Sequence, residues 1–404
     1  MENTRLVKLI KCSVAGLLLV VPLLTFAYDD ETTHPALTQE IVKLFNRSFP
    51  GIALNDAERL VVMQGSIDED EGLRPLQHFY DPVYKRGLVL YGSDASKYYP
   101  DLAAISAAGG ISFSSSKDWA GDTKAQAGLI GNLTAGITRP LFSGAEDYSW
   151  ERAIYEYVWG DKKRGLESLG HILHLLEDAT VPDHTRNDPH PPGWDTSPYE
   201  FWAKQFNQNN FSSIPDGKPM FLSDLDSYFD SLARYSNNNF FSKDTIFSRE
   251  YNLPVVAHYS GEFGFHENDY PLLRKIKKFD GSVEYSLKDK QESIMNAYWL
   301  LLSKQAVLHG AGAIKLFFDE VEKEKQTKIL YNKNRSWWQK SIDGFKETVF
   351  NTASVLYGSS VGLSDLEGNN DAAVGNTQIL PQAINPPAQP QAALENTSQN
   401  TAAG

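Results

Sequence analysis

The sequence predicts an all-α protein, because apolar residues recur at helical intervals in four of its segments. These segments are residues 37–49, 55–63, 166–180 and 287–324. Asn55 opens the second segment, at the position where an N-cap residue would begin a helix. The third segment contains no proline and is rich in leucine and isoleucine, as expected for a helix. About 300 ordered residues can enclose one large core, with or without an elaboration.

Residues 1–27 have the features of a signal peptide. A basic start precedes an apolar core over residues 14–26, and Thr25 and Ala27 occupy the small-residue cleavage positions. The alternative is a membrane anchor, but the apolar stretch is shorter than the roughly 20 residues that span a bilayer. Cleavage after Ala27 would make Tyr28 the first residue of a secreted or periplasmic protein.

Residues 170–190 contain four of the nine histidines and four carboxylates. His174 and Asp178 lie one helical turn apart on the same face, so both can reach one cation. Pro182 ends or kinks the helix, which lets the chain turn His184 back toward the same centre. A histidine and an ionised aspartate on an apolar helix are costly to desolvate unless they are paired or bind metal. The pattern indicates a metal site, and a buried His–Asp pair that only stiffens the core is the alternative.

The single cysteine limits the chemistry of any such site. Cys12 lies within the predicted signal peptide, so the mature chain would have no cysteine and no disulfide. A zinc site in this chain must therefore be built from nitrogen and oxygen ligands.

Four motifs carry candidate ligands at recognisable spacings. They are residues 28–34 with Tyr28 and His34, residues 65–70 ending in Asp70, residues 77–82 with His78, and residues 174–184 with His174, Asp178 and His184. Together they resemble the zinc-dependent phospholipase C family, whose helical fold is shared with the zinc-dependent single-strand-specific nucleases. The resemblance covers about residues 28–202 and a helix near residues 311–319. It implies a multi-helix zinc metalloenzyme fold of the phospholipase C/nuclease type.

The resemblance also implies a site for up to three zinc ions. The implied metal ligands are Tyr28, His34, Asp70, His78, His174, Asp178, His184, His190 and Glu200. Tyr28 would bind through its amino group and carbonyl, so its replacement of the family's tryptophan is tolerable. Asp178 would bridge two ions, and Asp70 would bind metal and act as the general base, with Asp68 as the neighbour that could be confused with it.

The third zinc position departs from the family pattern. Glu200 matches the family's acidic ligand, but Thr196 stands where a histidine is expected. We favour His190 as the replacement, while Asp195 could take the role instead. The position could also be altered or empty.

The expected function is that of a secreted zinc-dependent phosphodiester hydrolase, with phospholipase C as the leading activity. Of the family's choline contacts only Glu31 is retained, because Glu71 and Pro75 replace two aromatic residues. The expected partner is a phospholipid or another phosphodiester substrate. The expectation extends to peripheral contact with a membrane surface and to a monomeric protein. One alternative is a binding protein with structural zinc.

The other alternative is a single-strand-specific zinc nuclease, because only six residues separate Tyr28 from His34. Nucleic acid is a partner only under this alternative. The formal charge of −13 falls to −15 once the predicted signal peptide is removed, which discourages nonspecific binding of polyanions.

The remaining sequence predicts the domain boundaries. Residues 28–328 form the helical zinc-dependent catalytic domain, within which residues 203–280 are an elaborated insertion. A glycine- and serine-rich stretch at residues 103–121 predicts a loop over the site or a plain surface loop. Residues 329–366 form an amphipathic segment that packs on the core or meets a membrane, and residues 367–404 form a disordered low-complexity tail.

Overall fold

The computed structural model describes residues 31–72, 74–90, 111–126, 142, 145–190, 195–209 and 217–335. All of them belong to one compact unit of the chain. The predicted signal peptide, Tyr28, the tail and the part of the amphipathic segment from residue 336 lie outside the described residues. A search of the described helices finds none with the length and apolarity needed to cross a membrane.

Helices dominate the described residues. They are α1 (Thr33–Ser48), α2 (Asp56–Asp68), α3 (Ser116–Gly121), α4 (Thr123–Gln126), α5 (Trp150–Trp159), α6 (Lys162–Asp178), α7 (Pro182–Thr185), α8 (Pro198–Ala203), α9 (Leu225–Asn239), α10 (Ser293–Thr327) and α11 (Ile329–Asn334). Short 3-10 turns occur at Pro50–Ile52 and Arg74–Gln77. The predicted all-α class is confirmed.

A small antiparallel sheet accompanies the helices. Its strands are β3 (His258–Ser260), β4 (Phe263–Phe265), β5 (Pro271–Lys277) and β6 (Val283–Ser286), paired in that order, while β1 (Val89–Leu90) pairs with β2 (Ile111–Ser112). The sheet was not predicted, because strands of three to seven residues are too short to show a clear alternation of apolar and polar residues. It lies largely within the predicted insertion of residues 203–280.

Helix α6 is the central element of the fold. It packs against α2, α5 and α10, and nearly every residue from Gly165 to Asp178 is buried. Asp161 caps its N-terminus by accepting a hydrogen bond from the amide of Lys163. The helix ends at Asp178, and Pro182 begins α7 at a position where its missing N–H is no loss. The predicted interruption near Pro182 is therefore present.

Two glycines allow α2 and α6 to cross with their backbones in contact. A Cβ atom at Gly65 would overlap the carbonyl of Glu167, and one at Gly170 would overlap the carbonyl of Val62. Since any larger residue would push the helices apart, the small side chains set the distance between the two elements.

The other predicted helices are present with shifted ends. Asn55 forms a capping box with Glu58, in which each side chain hydrogen-bonds the other residue's amide at 3.0 Å. Helix α10 begins at residue 293 rather than 287, because β6 occupies residues 283–286 and Asp289 accepts hydrogen bonds from the amides of Ser293 and Ile294 in the first turn.

The predicted loop at residues 103–121 is wrong in its last part. Helix α3 occupies residues 116–121 because Ser115 accepts a hydrogen bond from the amide of Asp118 and so caps it. The serines that indicated a loop include this N-cap residue.

Candidate metal centre

Three groups of histidines and carboxylates meet along the C-terminal half of α6. In each group the side chains offer nitrogen or oxygen atoms within 4.8 Å of one another. The groups are His34–Asp70–His174, His78–His174–Asp178 and His184–His190–Glu200. All predicted ligands that the structure describes are members, and their role as metal ligands stays a prediction.

The middle group converges on one point. Nδ1 of His78 lies 2.9 Å from Oδ2 of Asp178, and Nε2 of His174 lies 3.3 Å from the same oxygen. The two histidine nitrogens are 3.4 Å apart. Each of the three side chains is at most 1% exposed, so water does not compensate for this concentration of polar atoms.

Asp178 connects the middle group to the other two. Its Oδ1 atom lies 3.6 Å from Nε2 of His34 and 3.5 Å from Nδ1 of His184. Among the described residues, neither oxygen of Asp178 nor Nδ1 of His184 has a hydrogen bond of good geometry, although all three atoms are buried. Buried polar atoms in this state are what a bound cation would satisfy.

The first group contains Asp70 rather than Asp68. Oδ1 of Asp70 lies 3.7 Å from Nε2 of His174 and 3.6 Å from Nδ1 of His78. Asp68 instead accepts a hydrogen bond from the side chain of Gln64 at the surface. The structure therefore separates the two neighbouring aspartates, and Asp70 is the one at the site.

The third group contains His190, which the sequence analysis favoured, rather than Asp195. Nε2 of His184 is 3.2 Å from Oε1 of Glu200, and Nε2 of His190 is 2.8 Å from Oε2 of Glu200. Asp195 pairs with Lys243 instead.

Buried Arg186 holds the chain between the two histidines of the third group. Its guanidinium is fully buried and donates to the carbonyls of Asn237 and Asn252 and to the hydroxyl of Thr245. Asn187 follows with a left-handed backbone (φ 46°), which turns the chain sharply between His184 and His190.

Two hydrogen bonds fasten the first group to the third. The hydroxyl of Thr33 donates to the carbonyl of Ala203 at 3.0 Å, and that of Thr32 donates to the carbonyl of Lys204 at 3.1 Å. The N-terminus of α1, which carries His34, is thereby held against the end of α8, which carries Glu200.

Backbone carbonyls orient two of the histidine rings. Nδ1 of His174 is 2.6 Å from the carbonyl of Ser66, and Nδ1 of His190 is 2.9 Å from that of Asp188. A carbonyl only accepts, so Nδ1 carries the proton in both rings. Nε2 of each ring is then the atom at which a metal ion would take the place of a second proton.

Two buried glutamates at the site were missed by the sequence analysis. Oε2 of Glu177 lies 2.6 Å from Nδ1 of His34, and its other oxygen accepts from the hydroxyl of Thr38. Each glutamate immediately precedes a predicted ligand, Glu177 before Asp178 and Glu69 before Asp70. Their position next to a predicted ligand was the only signal in the sequence for these two glutamates.

The carboxylate of Glu69 accepts several hydrogen bonds next to the middle group. It accepts from the guanidinium of Arg74, from the indole N–H of Trp119 at 2.9 Å and from Nδ1 of His171 at 2.5 Å. His171 lies in none of the three groups. This network fixes the backbone immediately before Asp70.

The charges of the site favour a bound cation. Burial acts to lower the pKa of His174, but the carboxylates of Asp70 and Asp178 outweigh it and raise the pKa to about 10. Burial likewise opposes the charge on His190, whose pKa the carboxylate of Glu200 raises to about 10. The negative potential of these carboxylates, which stabilises protonated histidines, would equally stabilise a bound metal cation.

The imidazole rings of His34 and His174 are stacked, which disfavours a positive charge on both rings at once. They stack with centroids 3.6 Å apart and planes 15° apart. Burial and the positive charge of His174 hold the pKa of His34 well below its usual range. This shift favours the neutral form of His34, the form in which a histidine binds a metal ion.

The donor set fits zinc. Imidazole nitrogens and carboxylate oxygens are zinc ligands, and each group offers two histidines and one carboxylate. The predicted amino-terminal ligand Tyr28 lies outside the described residues.

Glu177→Ala is expected to lower the affinity for zinc by about 10- to 100-fold, because the ring of His34 loses the carboxylate that orients it. The measurement is a competition titration with a chelating dye. Glu167→Ala, on the same helix but outside the site, is the matched control. Equal affinities in the two variants would assign Glu177 to packing alone.

Comparison with known proteins adds a distant similarity. No protein-family model and no curated protein matches the chain. The solved structure of the alpha toxin from Clostridium absonum is similar over 73% of this chain and 67% of its own, with 13% sequence identity and a TM-score of 0.35. Similarity at this level carries no argument about activity, so the functional conclusion depends on the side chains of the site.

Proposed function

We propose that this protein is an exported zinc-dependent phosphodiester hydrolase, with phospholipase C activity on a phospholipid as the leading assignment. The observation that carries the proposal is the single carboxylate of Asp178, which faces histidines from all three groups within 3.6 Å. A structural zinc needs one closed shell of about four ligands. Three adjoining groups exceed that need, which argues against a purely structural role.

The candidate ligands can be divided among the zinc ions that they would hold. His34 and Asp70 would hold one ion and His78 and Asp178 another, and His174, whose Nδ1 faces the carbonyl of Ser66, would bind one of the two through Nε2. His184, His190 and Glu200 would hold the third. Zinc bound in such sets lowers the pKa of a water molecule, holds phosphodiester oxygens and stabilises the negative charge that develops on them.

The protein's own side chains would supply the remaining steps. The carboxylate of Asp70 would be the base that takes the proton of the attacking water. Glu69, held by Arg74, Trp119 and His171, keeps the backbone before Asp70 fixed and so holds this carboxylate in place. The mechanism needs no nucleophilic serine or cysteine.

Asp70→Asn is expected to lower phosphodiester hydrolysis by about 10²- to 10⁴-fold, because an amide cannot accept the proton. The measurement is release of phosphorylated headgroups from mixed phospholipid vesicles, read together with the zinc content of the protein. Asp68→Asn makes the same change two residues earlier at the surface and should retain activity. Unchanged hydrolysis in Asp70→Asn would overturn the assignment of the base.

The nuclease alternative remains the second candidate because of the short spacing between Tyr28 and His34. Assays of one zinc-loaded protein preparation on phospholipids and on single-stranded DNA distinguish the phospholipase from the nuclease. Chelator-sensitive headgroup release supports the phospholipase, whereas full zinc content with hydrolysis of single-stranded DNA alone supports the nuclease. A metal-loaded protein that hydrolyses neither would support the binding protein.

A further inference from the structure

The hairpin formed by β5 and β6 exposes an aromatic side chain at its turn. Phe279 is fully exposed, with a relative accessible surface of 114%. A phenylalanine held entirely in water gains no burial energy within this chain, so its whole apolar surface is available to a partner.

The turn that carries Phe279 is closed and ordered. The amide of Lys278 donates to the carbonyl of Ser282 at 2.9 Å, and Gly281 adopts a left-handed backbone (φ 85°) while its amide donates back to the carbonyl of Lys278. Asp280 accepts from both the amide and the hydroxyl of Ser282. The exposure of Phe279 is therefore fixed by the turn.

The base of the hairpin is fixed to the core. Leu272 and Leu273 are completely buried, and the hydroxyl of Tyr298 on α10 donates to the carbonyl of Leu272 at 2.8 Å. A rigid support of this kind means that little conformational entropy is lost when the turn meets a partner.

Positive charge surrounds the turn in an otherwise acidic protein. Residues 271–288 contain five basic and two acidic residues, whereas the whole chain has a formal charge of −13. Arg274 pairs with Glu262. Lys278 pairs with Glu284 at 2.9 Å, but an exposed pair of this kind is weak and can be exchanged for a lipid headgroup. Lys275 and Lys277 are exposed and pair across the strands with Tyr285 and Val283, so these side chains share one face. Val283 is 43% exposed, which extends the apolar surface beyond Phe279.

We propose that this hairpin turn, with Phe279, Lys277 and Lys278 as its contact residues, docks the protein on anionic lipid membranes. Phe279 would enter the interface between headgroups and acyl chains, and the lysines would face anionic headgroups. A convex turn with one aromatic side chain suits a planar surface. A long nucleic acid would need a groove with several stacking rings and would also cross the acidic remainder of the protein.

The inference is independent of the proposed hydrolysis, because docking is measured without turnover. Cosedimentation of the exported protein, with its N-terminal residue verified, is measured on vesicles of phosphatidylglycerol and phosphatidylcholine. Phe279→Ser should weaken partitioning on the order of tenfold, and Lys277→Gln with Lys278→Gln should weaken it by about 25-fold at low salt. Vesicles of phosphatidylcholine alone should bind far less.

Two control variants match these changes away from the hairpin. Leu300→Ser removes a side chain that is 60% exposed on α10. Lys323→Gln with Lys325→Gln changes the net charge by the same amount near the end of that helix. The proposal is overturned if the controls weaken binding as much as the hairpin variants do.

A fluorescent label reports the location of the turn directly. Since Cys12 is the only cysteine, a Cys12→Ser protein with Phe279→Cys accepts one environment-sensitive dye. Its emission should shift to the blue on anionic vesicles, while the same dye at Leu300→Cys should not shift. A shift with single-stranded oligonucleotides and none with vesicles would reject the membrane in favour of nucleic acid. Hydrolysis that fails while the shift persists would count against the proposed function alone.

Discussion

Asp178→Asn is expected to remove zinc from the centre and to reduce hydrolysis by on the order of 10³-fold or more. The amide lacks the negative charge that faces His34, His78, His174 and His184, so the histidines of all three groups lose their shared carboxylate.

Zinc content by mass spectrometry and unfolding in the presence of zinc measure this effect without relying on turnover. In the unchanged protein, zinc at 100 times its dissociation constant should add about 2.7 kcal/mol to the free energy of unfolding. In Asp178→Asn this increment should be largely lost. Asp161→Asn is the matched control, because it makes the same change at the N-cap of α6, where asparagine also caps. Full zinc content in Asp178→Asn would show that the other ligands hold the ions without the charge of Asp178.

Gly170→Ala is expected to reduce the free energy of unfolding of the metal-free protein by about 3 kcal/mol. The added methyl group would overlap the carbonyl of Val62 and the backbone at Gly65 and Ser66, all of which belong to α2 and cannot rotate away as a side chain can. The affinity for zinc should fall as well, although no ligand is changed, because α2 leads to Asp70 and α6 carries His174.

Urea unfolding and a chelator competition titration measure the two effects of Gly170→Ala. Gly121→Ala is the control, since a Cβ atom there meets no atom within 4 Å. If Gly170→Ala were as stable as this control, the backbone contact between α2 and α6 would not set the geometry of the site.

Much of the helical core could be predicted because its signals are local. The apolar pattern and the absence of proline identified α6, and the position of Asn55 identified the start of α2. The spacing of His174, Asp178 and His184 placed three candidate ligands on one helix and the turn after it. These features depend on helical periodicity and on single residues with strong preferences.

The remaining features depend on contacts between distant segments. His190 comes close to Glu200 only because Arg186 is held by residues 237–252 and Asn187 turns the chain. Glu69 becomes a buried acceptor only when Trp119 and His171 are brought to it. The strands β3–β6 are defined by their pairing with one another more than by their own composition.

The hydrogen bond between Thr33 and Ala203 has a consequence for how the molecule folds. It joins residues 170 positions apart, and His34 and Glu200 lie beside its two ends. Closing a loop of this length precedes any gain from the contacts it allows, which slows the search for the native state. A nascent chain shorter than about 200 residues lacks Glu200 and cannot assemble all three groups, so complete metal capture requires synthesis beyond that length.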